Sequence, residues 1–83
     1  MKYIIFEGNG LAQPVIFGDH TTHAQISVKG ARPVSAGFVR FDAMAYPHCY
    51  GRSDSLDLEN RGKIDETVIR QAQIGCDASA FMI

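Results

Sequence analysis

The sequence predicts an α+β fold: a small antiparallel sheet of about four strands with two helices on one face. The expected order is strand, strand, helix, strand, strand, helix. Three observations carry this. The opening run from Lys2 to Glu7 is rich in β-branched and aromatic residues. Residues 34–41 alternate with a period of two, and Ile64, Val68, Ile69 and Ala72 follow helical spacing.

Residues 2–7 form the first expected strand. Gly8-Asn9-Gly10 is a strong turn signal, and residues 14–18 read as a second strand joined through a rather long loop. Ile4, Phe6, Val15 and Phe17 supply much of the core. Residues 21–29 are expected to make two helical turns, with Asp19 as N-cap, Thr21 and Thr22 competing for that role, and Gly30 closing the helix.

In the central strand, Val34, Ala36 and Phe38 fall on one side, and Ser35, Gly37, Val39 and Phe41 on the other. Pro33 suits a strand's first position, where its missing donor does no harm. Residues 42–45 connect it to a partner strand over residues 46–52, in which Pro47 marks an edge or a bulge. The expected register sets Phe41 opposite Tyr46, Val39 opposite His48, Gly37 opposite Tyr50 and Ser35 opposite Arg52. Gly37 is then either bare backbone covered by the tyrosine ring or a simple bulge. Ser35, Arg52, Ser53 and Ser55 gather at the end far from the loop.

Leu56-Asp57-Leu58 continues that strand or starts a fresh one, and Asn60-Arg61-Gly62 breaks it. A helix follows over residues 63–74, with Asp65 and Glu66 placed early, where acids suit the positive end of the dipole, and Gly75 at its close. The apolar tail 78–83 is expected to form a last short strand or to dock loosely.

Residues 1–83 make one domain with a single modest core. A chain this short hides only roughly 60–65% of its unfolded surface, so self-association into a homo-oligomer is expected. Hydrophobic residues at 46% and charged residues at 20% suit a globular protein rather than a disordered one. Eight basic and nine acidic residues give a net charge of −1. That balance argues against extended nucleic-acid contacts, which call for a basic excess, but leaves room for one small anion. The two cysteines, Cys49 and Cys76, read as free thiols of a reducing cytoplasm. The opening apolar run is too short for a signal segment, no stretch reaches the length of a membrane span, and a cytoplasmic location is expected.

Gly51-Arg52-Ser53-Asp54-Ser55 is the most suggestive short run. Glycine lets backbone approach a ligand, serine hydroxyls donate, and arginine holds a phosphate or carboxylate with two hydrogen bonds. The candidate ligand-binding set is Ser35, Gly37, Tyr50, Gly51, Arg52, Ser53, Ser55 and Arg61, with Arg32 near enough to add charge. The plainer reading of the same run is a polar turn that satisfies its own backbone. His20 and His23 lie beside Asp19, and His48 adjoins Cys49, but no second ligand pair has matching spacing and no metal or other cofactor is expected. Cys49 and His48 point to opposite faces of a strand, so they make no nucleophile and base. Cys49 reads as a small buried hydrophobe. No catalytic residue emerges. Asp54, Asp57, Glu59, Asp65 and Glu66 form a mildly acidic stretch: a solvated face, or an imitation of nucleic acid suited to a basic groove on another protein.

The run from Pro33 to Val39, the run from Cys49 to Leu58, Arg61, the helix from Asp65 to Arg70 and the segment from Phe17 to His23 together resemble small phage and prophage accessory proteins. The likeness covers most of the chain but not Cys76 to Ile83, and it brings a biological setting without a chemistry. It implies stoichiometric binding in the host cytoplasm. The leading expectation is sequestration of a phosphorylated, nucleotide-like signal of host defence. The alternative is an inhibitor, anti-CRISPR-like in manner, that docks on a host protein through its acidic face.

Overall fold

The computed structural model describes residues 1–75. Strands β1 (Lys2–Gly8) and β2 (Leu11–Phe17) pair from Lys2 opposite Phe17 to Gly8 opposite Leu11. Only Asn9 and Gly10 lie between them, at φ of 55° and 76°. Two successive left-handed residues match the twist of a tight hairpin, and Asn-Gly is the pair that reaches this conformation most easily. The long loop expected from the sequence is therefore replaced by continued pairing, and β2 begins at Leu11. Pro14 sits opposite Ile5. Counting from the bonded pair at the turn, that is a non-bonded position, so the missing N–H falls on the free edge of β2 and blocks a further strand from adding there.

β1 is central. On its other side runs β3 (Arg32–Phe41), and β4 (Pro47–Tyr50) lies beyond it, giving a curled antiparallel sheet in the order β2-β1-β3-β4. Between β1 and β3 the register shifts: Ile5 faces Ser35, but Phe6 faces Pro33, so Val34 is an extra, bulged residue. The bulge falls at Val34 and not at Gly37. It turns Val34 toward the same side as Ser35, Val39 and Phe41, whereas plain alternation sets Val34 on the opposite side with Ala36 and Phe38.

Both faces of the sheet are covered. Helix α1 (Lys63–Gly75) lies on one, closing a cluster of Tyr3, Ile5, Ile16, Val39 and Ile69, with Val34, Phe41, Cys49, Val68 and Ala72 packed around it. The other face carries Ile4, Phe6, Val15, Phe17 and Ala36, covered by Ile26, Val28, Ala31, Leu56 and Leu58. Burying one such aliphatic or aromatic side chain contributes about 1.5–3 kcal/mol, so β1, buried from Tyr3 through Phe6, anchors the fold.

The second predicted helix is absent among the described residues. Residues 23–25 form a single 3-10 turn (His23–Gln25), in which the Gln25 side chain accepts the Thr22 amide at 2.7 Å. Beyond it, half-buried Ile26 and Val28 alternate with exposed Ser27 and Lys29. An extended segment lays both apolar side chains on the sheet, whereas a helix would point them in different directions. The expected tail strand over residues 78–83, like Cys76, lies outside the described residues.

The register of the β3–β4 hairpin differs from the expected one by one residue: Phe41 faces Pro47, Val39 faces Cys49 and Phe38 faces Tyr50. A slip of one exchanges the two faces of a strand. The strand also stops early. Gly51, at φ 71°, swings the chain off the sheet into a two-stranded ribbon, β5 (Arg52–Ser53) and β6 (Leu58–Glu59). Gly37 makes that departure possible: a Cβ there would meet the Tyr50 carbonyl oxygen at 2.7 Å and the Gly51 carbonyl oxygen at 3.2 Å. Tyr3 of β1 is the cross-strand neighbour of Gly37, in place of the expected Tyr50.

Because the obstruction at Gly37 is backbone and cannot swing away, Gly37→Ala is expected to destabilise the protein by about 1–3 kcal/mol in urea unfolding. Unchanged stability would show that the corner has room to move.

Candidate functional site

The polar residues resolve into four constellations. The first is buried. Asp65 lies in the first turn of α1 and is fully inaccessible. Its carboxylate accepts hydrogen bonds from the Tyr3 hydroxyl, from the Ser35 hydroxyl at 2.8 Å, from the Arg61 amide at 2.9 Å and from Arg61 Nε at 2.8 Å. Arg61 Nη1 also reaches Glu7 of β1 at 3.8 Å. A buried carboxylate is tolerable only when its lone pairs are filled and its charge is matched, and here both conditions hold. Two of the predicted ligand-binding residues, Ser35 and Arg61, are thus employed inside the fold.

Burial pushes the Tyr3 hydroxyl well above the usual phenol range, and the neighbouring Asp65 carboxylate adds to the effect. Cys49, on the same face, is pushed up to about 12, chiefly by burial. A hydrogen bond with Tyr3 pulls the other way, and the Asp65 and Glu66 charges raise it further. At neutral pH it is a thiol, not a nucleophilic thiolate. His48 turns to Asp42, with Nε2 2.8 Å from the carboxylate. Asp42 also accepts the Met44 and Tyr46 amides, at 2.9 and 3.0 Å, and so ties the β3–β4 loop. These contacts, the His48 bond first, hold Asp42 below the ordinary carboxylate range.

The second constellation is the ribbon. Arg52 meets Asp54 at 3.1 Å, Asp57 at 2.6 Å and Glu59 at 3.4 Å. The three acids are 95%, 92% and 75% exposed, so the pairing faces solvent. Ser53 is buried beneath it and accepts the Leu56 amide at 3.2 Å, with Ser55 Oγ 3.4 Å away. Asp57 takes the left-handed conformation at φ 53°, which aspartate tolerates better than most residues. Asn60 closes the base by donating to the Gly51 carbonyl at 2.7 Å. Gly37, Tyr50 and Gly51 meet at the corner between β3 and the ribbon, where Tyr50 stacks on Phe38 with centroids 5.7 Å apart. Buried His23 lies edge-on to Phe17 and Phe38, its Nε2 2.9 Å from the Gly37 carbonyl oxygen.

The predicted set is therefore divided. Ser35 and Arg61 lie on the helix side, Gly37, Tyr50 and Gly51 at the corner, and Arg52, Ser53 and Ser55 in the ribbon on the other face. Ser35 does not face Arg52, because the register is shifted and β4 ends at Tyr50. Of the acidic stretch, Asp54, Asp57 and Glu59 are exposed, but Asp65 is internal.

The other two constellations were not singled out from the sequence. A cleft of about 450 Å³ beside the β1–β2 turn is lined by Glu7, Asn9, Leu11 and Arg32 among others. A groove of about 290 Å³ runs between α1 and β4, with Tyr46, Lys63, Glu66, Thr67 and Arg70 along it. Arg70 lies over the Tyr46 ring, 4.4 Å from its centroid. The signal for the groove was present as Lys63, Thr67 and Arg70, spaced along one outer face of the helix.

The raised groups set the response to base. Unfolding returns Cys49 toward 9.0, so above that pH the unfolded chain releases protons that the folded chain retains. Stability is expected to be full below pH 9 and to fall as pH rises toward 12, measured as a declining urea midpoint, with Cys49→Ala reducing the slope. A midpoint that stays level or rises over this range would contradict the assignment.

No family model, curated protein or solved structure matches this chain.

Proposed function

We propose that this protein is a non-enzymatic, phage-type accessory protein that docks its acidic ribbon on a basic surface of a host protein. The carrying observation is the set Asp54, Asp57 and Glu59, three exposed carboxylates around the single guanidinium of Arg52. Three acids against one base leave the ribbon negative. Ser53, Leu56 and Leu58 hold it to the sheet. A preformed charged edge loses little side-chain freedom on docking, and its field steers a basic partner into register.

The same arrangement disfavours capture of a phosphorylated, nucleotide-like signal at the Arg52 cluster. An incoming phosphate would have to displace three carboxylates from the guanidinium it needs, and Ser35 and Ser53 are buried. The phage setting, the host cytoplasm and the host-defence target rest on the resemblance of the Pro33–Val39 and Cys49–Leu58 runs. No helix among the described residues is long and apolar enough to cross a membrane. Self-association belongs to the same proposal: Leu11, Met44 and Ile64 are large apolar side chains left exposed on a small domain.

The test is co-purification of the tagged protein from a bacterial lysate. A partner is expected to be retained at low salt and released as salt rises. The double substitution Asp54→Lys and Asp57→Lys is expected to weaken the complex at least roughly tenfold, equivalent to about 1.4 kcal/mol, while circular dichroism stays unchanged. No retained partner, or a complex indifferent to those reversals, would refute the reading.

A further inference from the structure

We infer that the groove between α1 and β4 binds a small phosphorylated ligand carrying a planar ring. The site is independent of the acidic ribbon, which packs on the opposite face of the sheet. Its volume, about 290 Å³, is just below the range of drug-sized pockets, which limits it to a small ligand. Two cations and one aromatic ring line it, and their pairing is what points to a ligand.

Neither Lys63 nor Arg70 has a carboxylate within 4.0 Å among the described residues, in contrast to Arg52 and Arg61. Glu66, the acid that lines the groove, directs Oε2 to the Cys49 amide at 2.8 Å. That bond caps an outward-pointing N–H of the β4 edge and draws the carboxylate away from the two cations. Thr67 donates its hydroxyl to the Lys63 carbonyl at 2.8 Å, which leaves its oxygen free to accept.

The geometry divides the groove into two ends. Lys63 and Arg70 are seven positions apart on one helix, roughly 10 Å along the axis. Lys63 stands in the first turn, where the helix dipole is positive and adds to the attraction for a phosphate. At the other end, Arg70 lies over the Tyr46 ring, with Cζ 4.4 Å from its centroid. A guanidinium on one side of a phenol ring can take a further ring on its own outer side, and an added aromatic then extends the contact instead of displacing a salt bridge. A phosphate at Lys63 and a planar ring at Arg70 and Tyr46 are the arrangement of a nucleoside monophosphate, which serves as the probe.

The test is a two-dimensional ¹⁵N–¹H titration of the full chain with AMP, and in separate arms with adenosine and with inorganic phosphate. Saturable shifts are expected at Tyr46, Lys63, Thr67 and Arg70. Adenosine and phosphate are each expected to bind at least about tenfold more weakly than AMP, because each fills one end only. Lys63→Gln should remove the advantage of AMP over adenosine, and Arg70→Gln its advantage over phosphate, with the remaining spectrum preserved. Absence of saturable shifts at these residues, shifts that map to Arg52 instead, or AMP affinity unchanged in both variants would overturn the assignment.

Discussion

The carboxylate of Asp65 is the constraint on which the arrangement of this protein depends. It is the single fully buried acid among the described residues, and it accepts hydrogen bonds from β1, from β3 and from the turn that starts α1. Removing a charge from water is expensive, and only a complete set of donors with a matched cation offsets it. The requirement is geometric as well as energetic, because the donors reach one carboxylate only when helix and strands stand in one relative position. Asp65 thus sets the rotation of α1 about its axis. With Asp65 inward, Val68, Ile69 and Ala72 follow it onto the sheet, and Lys63, Thr67 and Arg70 are left along the outer groove.

The same anchor explains why the polar residues of the chain do not form one pocket. The sheet is covered on both faces, so a polar group in the buried middle of β3 must find a partner within the fold. Ser35 finds Asp65, and the Gly37 carbonyl finds His23. The Arg52 ribbon is held outside by its own acids. What is presented to a partner lies at the periphery, and it includes a negative ribbon on one side and, on the other, a groove whose two cations meet no carboxylate among the described residues. Their opposite signs call for opposite partners.

Much of the framework could be read from local pattern. The strands at Lys2 and Val34, the Asn-Gly turn and the helix from Lys63 are all governed by short-range preferences, and they appear where expected. Three features differ from what the pattern suggests. The helix expected after Thr21 is replaced by an extended cover, because the need to close the second face outweighs weak propensity. The one-residue change in the β3–β4 register is set at the loop, where the Asp42 carboxylate accepts the Met44 and Tyr46 amides and Phe41 comes to face Pro47, while the bare backbone of Gly37 admits the chain departing at Gly51. Proximity to a helix start suggests an exposed Asp65, yet it lies on the stripe with Val68, Ile69 and Ala72, and Ile64, the apolar residue expected on that stripe, is 59% exposed. An acid in phase with three apolar residues, four after an arginine, was the available clue. It called for a buried ion pair instead of a solvated face.

Urea unfolding of Asp65→Asn at pH 7, beside the unaltered protein, examines this account most directly. The amide keeps the shape of the side chain but removes the charge that Arg61 requires, and replaces an acceptor with a donor facing other donors. A loss on the order of 3 kcal/mol is expected. Stability within about 0.5 kcal/mol of the original, the range of an ordinary surface substitution, would show that the carboxylate does not hold helix and sheet together.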